Sequence, residues 1–173
     1  MARVLLMKPI DEEYYIVAPN LGLGYIASSL KADGHKVEII DSGRLKITYD
    51  AFEKYMQNNR FDMVGFQLYT YQLNSVNRLS SIVKKISPQT IVVVGGPHPS
   101  CEPVHTLKYL ASVDFAISKD GERAISKLMK LPPDMLKCDD RLGQIENLTF
   151  RGAEGIRSNV TFFEEDLDNI AFP

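Results

Sequence analysis

The sequence predicts an α/β fold, a doubly wound five-stranded parallel sheet followed by a C-terminal β-hairpin. Three observations carry that reading. Short apolar runs alternate with amphipathic stretches five times along residues 3–130. The run Ile91, Val92, Val93, Val94 contains no polar residue, as expected of a strand buried on both faces. After the Pro132-Pro133 break the pattern changes to two short strand-like runs around Gly152-Ala153-Glu154-Gly155, which reads as a hairpin.

In order, residues 3–7 form a first buried strand ended by Lys8-Pro9, and a polar, aromatic loop occupies residues 10–20. Leu23, Ile26, Ala27 and Leu30 fall at helical spacing, and Gly34 stands where a left-handed cap is wanted. Residues 36–41 are strand two. Asp50 with Glu53 resembles a capping box, and Phe52, Tyr55 and Met56 give the second helix one apolar face. Residues 63–69 are strand three, residues 70–74 a loop, and Val76, Leu79, Ile82, Val83 and Ile86 mark a helix stopped by Pro88. After the central strand, Pro103 suits the first turn of a helix carrying Leu107, Leu110 and Ala111. Residues 114–118 are strand five, and Asp120 opens a fifth helix ending before Pro132. The hairpin strands are expected at 145–151 and 156–162. An acidic stretch then leads to Ala171-Phe172-Pro173, the composition of a linker toward a further segment.

The length of 173 residues suits one domain, and 45% hydrophobic with 24% charged content is that of a folded globular chain. A net charge of −2, without any basic run, gives a polyanion nothing to hold, so nucleic acid is not an expected partner. No run is long enough to span a bilayer and the N-terminus lacks a signal-peptide pattern, which predicts a cytoplasmic protein without a membrane partner. Cys101 and Cys138 have no C-x-x-C spacing and read as reduced thiols.

Candidate function concentrates after the central strand. Gly95 and Gly96 let a ligand approach the backbone, Pro97 and Pro99 stiffen the exit, and ligands of open parallel sheets settle at such carboxyl ends. A tight turn with no ligand would use the same residues. Gly22-x-Gly24-x-x-Ala27, with Asp41 ending the next strand, offers a nucleotide-binding alternative, although a loop separates these glycines from strand one. A phospho-receiver would need a carboxylate after strand three, where Gln67, Tyr69 and Thr70 stand instead. Cys101 with His98 and His105 has no orienting third group for nucleophilic catalysis, His35 reads as structural, and the three histidines have no carboxylate in ligand spacing.

Taken together, residues 19–27, 34–41, 61–66, 95–100 and Gly121-Glu122 resemble the N-terminal cobalamin-binding domain of cobalamin-dependent radical S-adenosylmethionine enzymes. That group includes an anaerobic magnesium-protoporphyrin monomethyl ester cyclase and many carbon methyltransferases. The resemblance covers nearly the whole chain and extends to Asn147, Leu148, Arg151 and the residues from Asp166 to Pro173.

The resemblance implies a flavodoxin-like, Rossmann-like domain at residues 1–143, with residues 144–173 as hairpin and linker toward a radical S-adenosylmethionine barrel in cis. It implies cobalamin as partner and cofactor, held by Pro19, Asn20, Leu21 and Gly22, by Tyr69, Thr70 and Leu73, by Gly95, Gly96, Pro97 and His98, and by Gly121 and Glu122. It implies no catalytic residue in this chain. It implies that S-adenosylmethionine and the iron–sulfur (4Fe–4S) cluster belong to a following domain, since the C-x-x-x-C-x-x-C that holds such a cluster is not found in these 173 residues. The D-x-H-x-x-G of other cobalamin proteins has no counterpart in residues 8–20, which implies a base-off cofactor without a histidine ligand. The family's G-E-G-E turn is here Lys119-Asp120-Gly121-Glu122. A nucleotide-binding enzyme and a docking domain that has lost its ligand remain the alternatives.

Overall fold

Five runs of β-branched and aliphatic residues pair in parallel to make the centre of one seven-stranded sheet, in the order β2-β1-β3-β4-β5-β6-β7. The structure is a computed structural model and describes residues 1–10, 20–166 and 172–173. The parallel strands are β1 (Arg3–Lys8), β2 (Lys36–Asp41), β3 (Met63–Gln67), β4 (Ile91–Gly95) and β5 (Phe115–Ile117). Their order reverses direction between β1 and β3, the switch point of a doubly wound sheet. The expected five-stranded parallel unit is therefore present. The hairpin extends the same sheet, with β6 (Leu148–Gly152) antiparallel to β5 and β7 (Gly155–Ser158) antiparallel to β6.

Alternation along the strands divides the core into two layers. Leu5, Met7, Phe66 and Val94 face α3 (Tyr49–Asn58), α4 (Leu73–Ile86) and α6 (Pro103–Tyr109), where Phe52, Leu79 and Leu107 are fully or almost fully buried. Val4, Leu6, Val93 and Ile117 face α1 (Leu21–Ala32) and α7 (Glu122–Lys130), which contribute Leu23, Leu30 and Leu128. Among the described residues no helix is long and apolar enough to cross a membrane.

Several local expectations need correction. The second long helix is capped by Thr48, whose Oγ1 accepts from Ala51 N at 3.2 Å, and Asp50 lies in its first turn. A one-turn helix α2 (Ser42–Leu45) precedes it, capped by Asp41. Strand three stops at Gln67, and the following segment is a 3₁₀ turn (Thr70–Gln72) running into α4, so Leu73 opens a helix. The Gly-Pro exit from β4 winds at once into α5 (Pro97–Cys101). Gly121, not Asp120, caps α7. A 3₁₀ turn (Pro133–Lys137) and α8 (Asp139–Leu142) fill what reads as a break. Turns of three to five residues carry too few positions to express a 3.6-residue period, which is why sequence pattern misses them.

The hairpin strands are shorter than expected because β6 cannot begin before Asn147. That residue is 4% exposed and sits in the left-handed region at φ +62°. Its Nδ2 donates to Asp120 O at 3.0 Å and Phe162 O at 2.8 Å, and its Oδ1 accepts from Phe162 N at 2.7 Å. One carboxamide thus ties the β5–α7 loop to the segment leaving the hairpin. Asn147→Ala removes all three bonds while keeping a strained backbone, with an expected loss of about 2–4 kcal/mol in urea denaturation. Asn147→Gly, which relieves the strain alone, should lose less. A loss under about 1 kcal/mol for the alanine variant would show that this tie contributes little.

Candidate functional site

At the carboxyl edge of the sheet, on the α1/α7 side, two strands present glycine where their neighbours present bulk. Gly65 pairs with Val93, and Gln67 pairs with Gly95, so the gaps at Gly65 and Gly95 lie on the face shared by Leu6, Val93 and Ile117. A cleft of about 160 Å³ opens there between the N-terminal turns of α1 and α7. Its walls are mainly apolar, including Leu23, Ile26, Ile117 and Ile125, with Gln67, Lys119 and Glu122 supplying polar groups. A Cβ on Gly65 would meet Leu6 Cδ2 at 2.8 Å, whereas one on Gly95 would find ordinary contact, 3.8 Å from Ile117 O.

Gly96 is the hinge of the site. Its φ of +116° with ψ −165° belongs to a region essentially reserved for glycine. A Cβ there would press on Leu68 O at 3.1 Å and Leu68 N at 3.3 Å. That closeness lets the β3 and β4 exits bond to one another, with Leu68 N donating to Gly95 O at 2.8 Å and His98 N to Leu68 O at 3.1 Å. The two loops form one connected ledge.

Of the residues expected to form a site, Gly22, Gly95, Gly96, Gly121 and Glu122 line the cleft together. Asn20 caps α1 by accepting from Leu23 N, and its Nδ2 donates to Gln67 Oε1 at 2.6 Å, linking α1 to the end of β3. Exposed Leu21 follows it at the start of α1. Tyr69 and Tyr71 stack at 5.6 Å on the β3 exit, and the exposed Thr70 places Oγ1 3.0 Å from His98 Nδ1. Pro97 is exposed at the first position of α5, while His98 is buried beneath the ledge. Leu73 opens α4, not a loop, and packs partly buried against the core. Pro19 lies outside the described residues, as do residues 11–18 of the loop before α1 and residues 167–171 of the C-terminal segment.

Sequence pattern missed Gly65 and Gln67, both in the lining. The available signal was a glycine and a terminal polar residue on one face of an otherwise apolar strand. Gly22 and Gly24 both lie within α1, so neither makes the turn a pyrophosphate needs. A Cβ on Gly24 would meet Pro173 Cβ at 2.7 Å, which accounts for that glycine by packing. Asp41, the candidate ribose ligand, caps α2 through Arg44 N at 3.1 Å and lies 3.8 Å from Lys8 Nζ. Among the described residues no group of three or more His, Cys, Asp or Glu could hold a metal ion.

Glu122 opens α7 inside this apolar lining. Burial pushes its carboxyl above the ordinary value, helped by the charge of Asp120 and partly offset by backbone N–H groups at the helix start. A raised acid favours the folded state most when protonated. Its contribution is fully present below about pH 4.5, the ordinary value, and is lost as pH rises through the raised one. Glu122→Gln should therefore raise Tm relative to the wild type at about pH 7–8, with the difference closing near pH 4. A pH-independent difference would contradict this account.

Known proteins resemble this chain in sequence and in fold. The family profile of the B12 binding domain matches residues 7–129. An uncharacterised methyltransferase of Pyrococcus horikoshii is 30% identical over 177 residues, which cover 99% of this chain and 38% of that protein. The anaerobic magnesium-protoporphyrin IX monomethyl ester cyclase of Rubrivivax gelatinosus is 25% identical over 112 residues, 64% of this chain and 20% of the cyclase. The chain thus spans well under half the length of these curated relatives. Among solved structures, the radical S-adenosylmethionine methyltransferase TsrM from Kitasatospora setae, with cobalamin and a 4Fe–4S cluster bound, superposes with a TM-score of 0.72. Its identity is 17%, covering 91% of this chain and 30% of TsrM. The cobalamin-dependent S-adenosylmethionine radical enzyme OxsB, with aqua-cobalamin and S-adenosylmethionine bound, gives 0.72 at 21% identity, covering 95% of this chain and 23% of OxsB. At these identities the likeness to the two structures is one of fold. Matched from within β1 to the last turn of α7, with every glycine that lines the cleft inside the matched span, the chain belongs to the B12-binding domain family.

Proposed function

We propose that this chain binds cobalamin at the carboxyl edge of its sheet and serves as the cofactor-carrying module of a radical S-adenosylmethionine enzyme. The observation that carries this is the cleft floored by Gly65 and Gly95 and rimmed by Gly96, within the span matched to the family. Its chemistry fits. A cleft of about 160 Å³ is smaller than the pockets of roughly 300–1,000 Å³ that enclose whole ligands, so it accepts one arm of a cofactor whose body lies across the ledge. A corrin rim of amides and methyls suits that ledge, where a stacked tyrosine pair adjoins backbone groups made approachable by glycine.

Asn20, Leu21 and Gly22 would hold the cofactor from α1, as would Pro19 in the preceding loop. Tyr69 and Thr70 would do so from the β3 exit, Gly95, Gly96 and Pro97 from the β4 exit, and Gly121 and Glu122 from the start of α7. Cobalamin, when bound, supplies methyl-carrier or redox chemistry to the parent enzyme. This chain's part is to orient it and exclude water. Residues 1–143 form the binding domain, residues 144–173 lead to a radical S-adenosylmethionine barrel in cis, and the whole acts in the cytoplasm.

We expect the cofactor's base to be displaced and no histidine of this chain to replace it. His98 is 6% exposed, with Nδ1 engaged by Thr70 and Nε2 buried. His105 lies on α6 against the Tyr109 ring, and His35 Nδ1 accepts from Ala2 N beside the start of β2. Electron paramagnetic resonance of the cob(II)alamin form should show no nitrogen superhyperfine splitting, and such splitting would overturn the unligated reading. For binding itself, hydroxocobalamin at about a hundred times its Kd should stabilise the chain by about 2.7 kcal/mol in a thermal-shift assay. Stabilisation by nicotinamide nucleotides and not by cobalamin would favour a nucleotide-binding enzyme instead.

A further inference from the structure

Beneath the ledge lies a polar side chain with only half of its hydrogen bonding satisfied. His98 Nδ1 sits 3.0 Å from Thr70 Oγ1, and Nε2 is buried without a partner. The ring meets the His105 ring edge-on at 6.2 Å, and among the described residues Glu102 is the acidic group acting on it. Burial and the charge of His105 hold the imidazole below its ordinary pKa, the opposing pull of Glu102 being smaller, so at neutral pH it carries one proton.

That proton has two places to go. On Nε2 it would be a buried donor with no acceptor, and the Thr70 hydroxyl would turn inward to donate to Nδ1. On Nδ1 it is donated to Thr70 Oγ1, and only a lone pair is left without a partner at Nε2. Orphaned buried N–H groups are the rarer of the two defects, which favours the second arrangement. Thr70 is itself exposed, so its hydroxyl proton is then free to point outward over the carboxyl edge.

We propose that His98 is a positioning residue that donates from Nδ1 to Thr70 and so fixes the Thr70 hydroxyl as an outward hydrogen-bond donor for an amide carbonyl on the rim of the bound cofactor. The assignment rests on the cobalamin reading for its ligand, and on the His98 geometry alone for its polarity. A primary amide offers both a donor and an acceptor, and this polarity selects the carbonyl. His98 also bonds through its backbone to Leu68, so the relay and the ledge share one frame.

The two halves are tested separately. Long-range proton–nitrogen correlation on the [15N]histidine-labelled chain without cobalamin should show His98 protonated at Nδ1 and bare at Nε2. The reverse tautomer overturns the proposal. Hydroxocobalamin binding is then titrated against wild type, Thr70→Val, His98→Phe and the double variant. Thr70→Val should weaken binding roughly fivefold and lower Tm modestly without unfolding the chain, because no cavity is made but the buried His98 Nδ1–H loses its acceptor. In the Thr70→Val background His98→Phe should add less than twofold, since its effect on binding runs through that hydroxyl. Unchanged binding by Thr70→Val, or fully additive losses, would overturn the relay even if His98→Phe folds poorly, because Thr70→Val stands alone. A wild-type chain that binds no hydroxocobalamin would overturn the ligand half, while the tautomer would still be read directly.

Discussion

Replacing Gly96 by alanine is expected to cost about 2–4 kcal/mol of folding stability and to abolish retention of cobalamin. Two independent penalties act at this position. The backbone at φ +116° is one that an L side chain rarely adopts, and the new methyl would sit 3.1 Å from Leu68 O. Neither can relax alone, because the same backbone carries the bonds from Leu68 N to Gly95 O and from His98 N to Leu68 O. Moving Gly96 to relieve the methyl would uncouple the β3 and β4 exits, and with them the ledge. Urea denaturation and corrin retention should fail together. A Gly96→Ala chain of wild-type stability would show that the β4 exit tolerates another conformation and is not the hinge described.

Gly95→Val is expected to separate what Gly96→Ala confounds. Gly95 has an ordinary strand backbone, and a Cβ there would make only ordinary contact, 3.8 Å from Ile117 O. Valine suits a central strand, so stability should change by less than about 1 kcal/mol. The added methyls enter the cleft between α1 and α7, where they would occupy the space a cofactor arm requires. Cobalamin affinity should fall roughly a hundredfold, about 2.7 kcal/mol, with Gly95→Ala intermediate. Full affinity in a folded Gly95→Val chain would place the cofactor elsewhere on the sheet.

The contrast between these glycines also marks what sequence pattern can carry. The strands and long helices are legible because their signal is periodic: Val92 to Val94 reads as buried on both faces, and Val76, Leu79 and Val83 lie on one side of a helix. The Gly95-Gly96 pair is legible as a place of close approach. Which of the two is conformationally obligatory is not, because φ at Gly96 is set by the turn into α5 and its contact with Leu68. Gly65 reads as a gap in an apolar run, and it becomes a floor only through its register with Val93 and its position on the α1/α7 face. His98 reads as a polar residue on a loop, yet α5 buries it. The cap of α3 was missed for a local reason. Thr48 and Asp50 are both competent cap residues two apart, and the chain uses the one whose side chain reaches Ala51 N.

The most direct measurement is an absorbance spectrum of the 173-residue chain after incubation with hydroxocobalamin and desalting. Retained corrin absorbance near one equivalent per chain is expected, at band positions typical of displaced base, and its loss is expected in Gly95→Val. A chain that is folded by circular dichroism yet emerges colourless would contradict cobalamin binding by these residues.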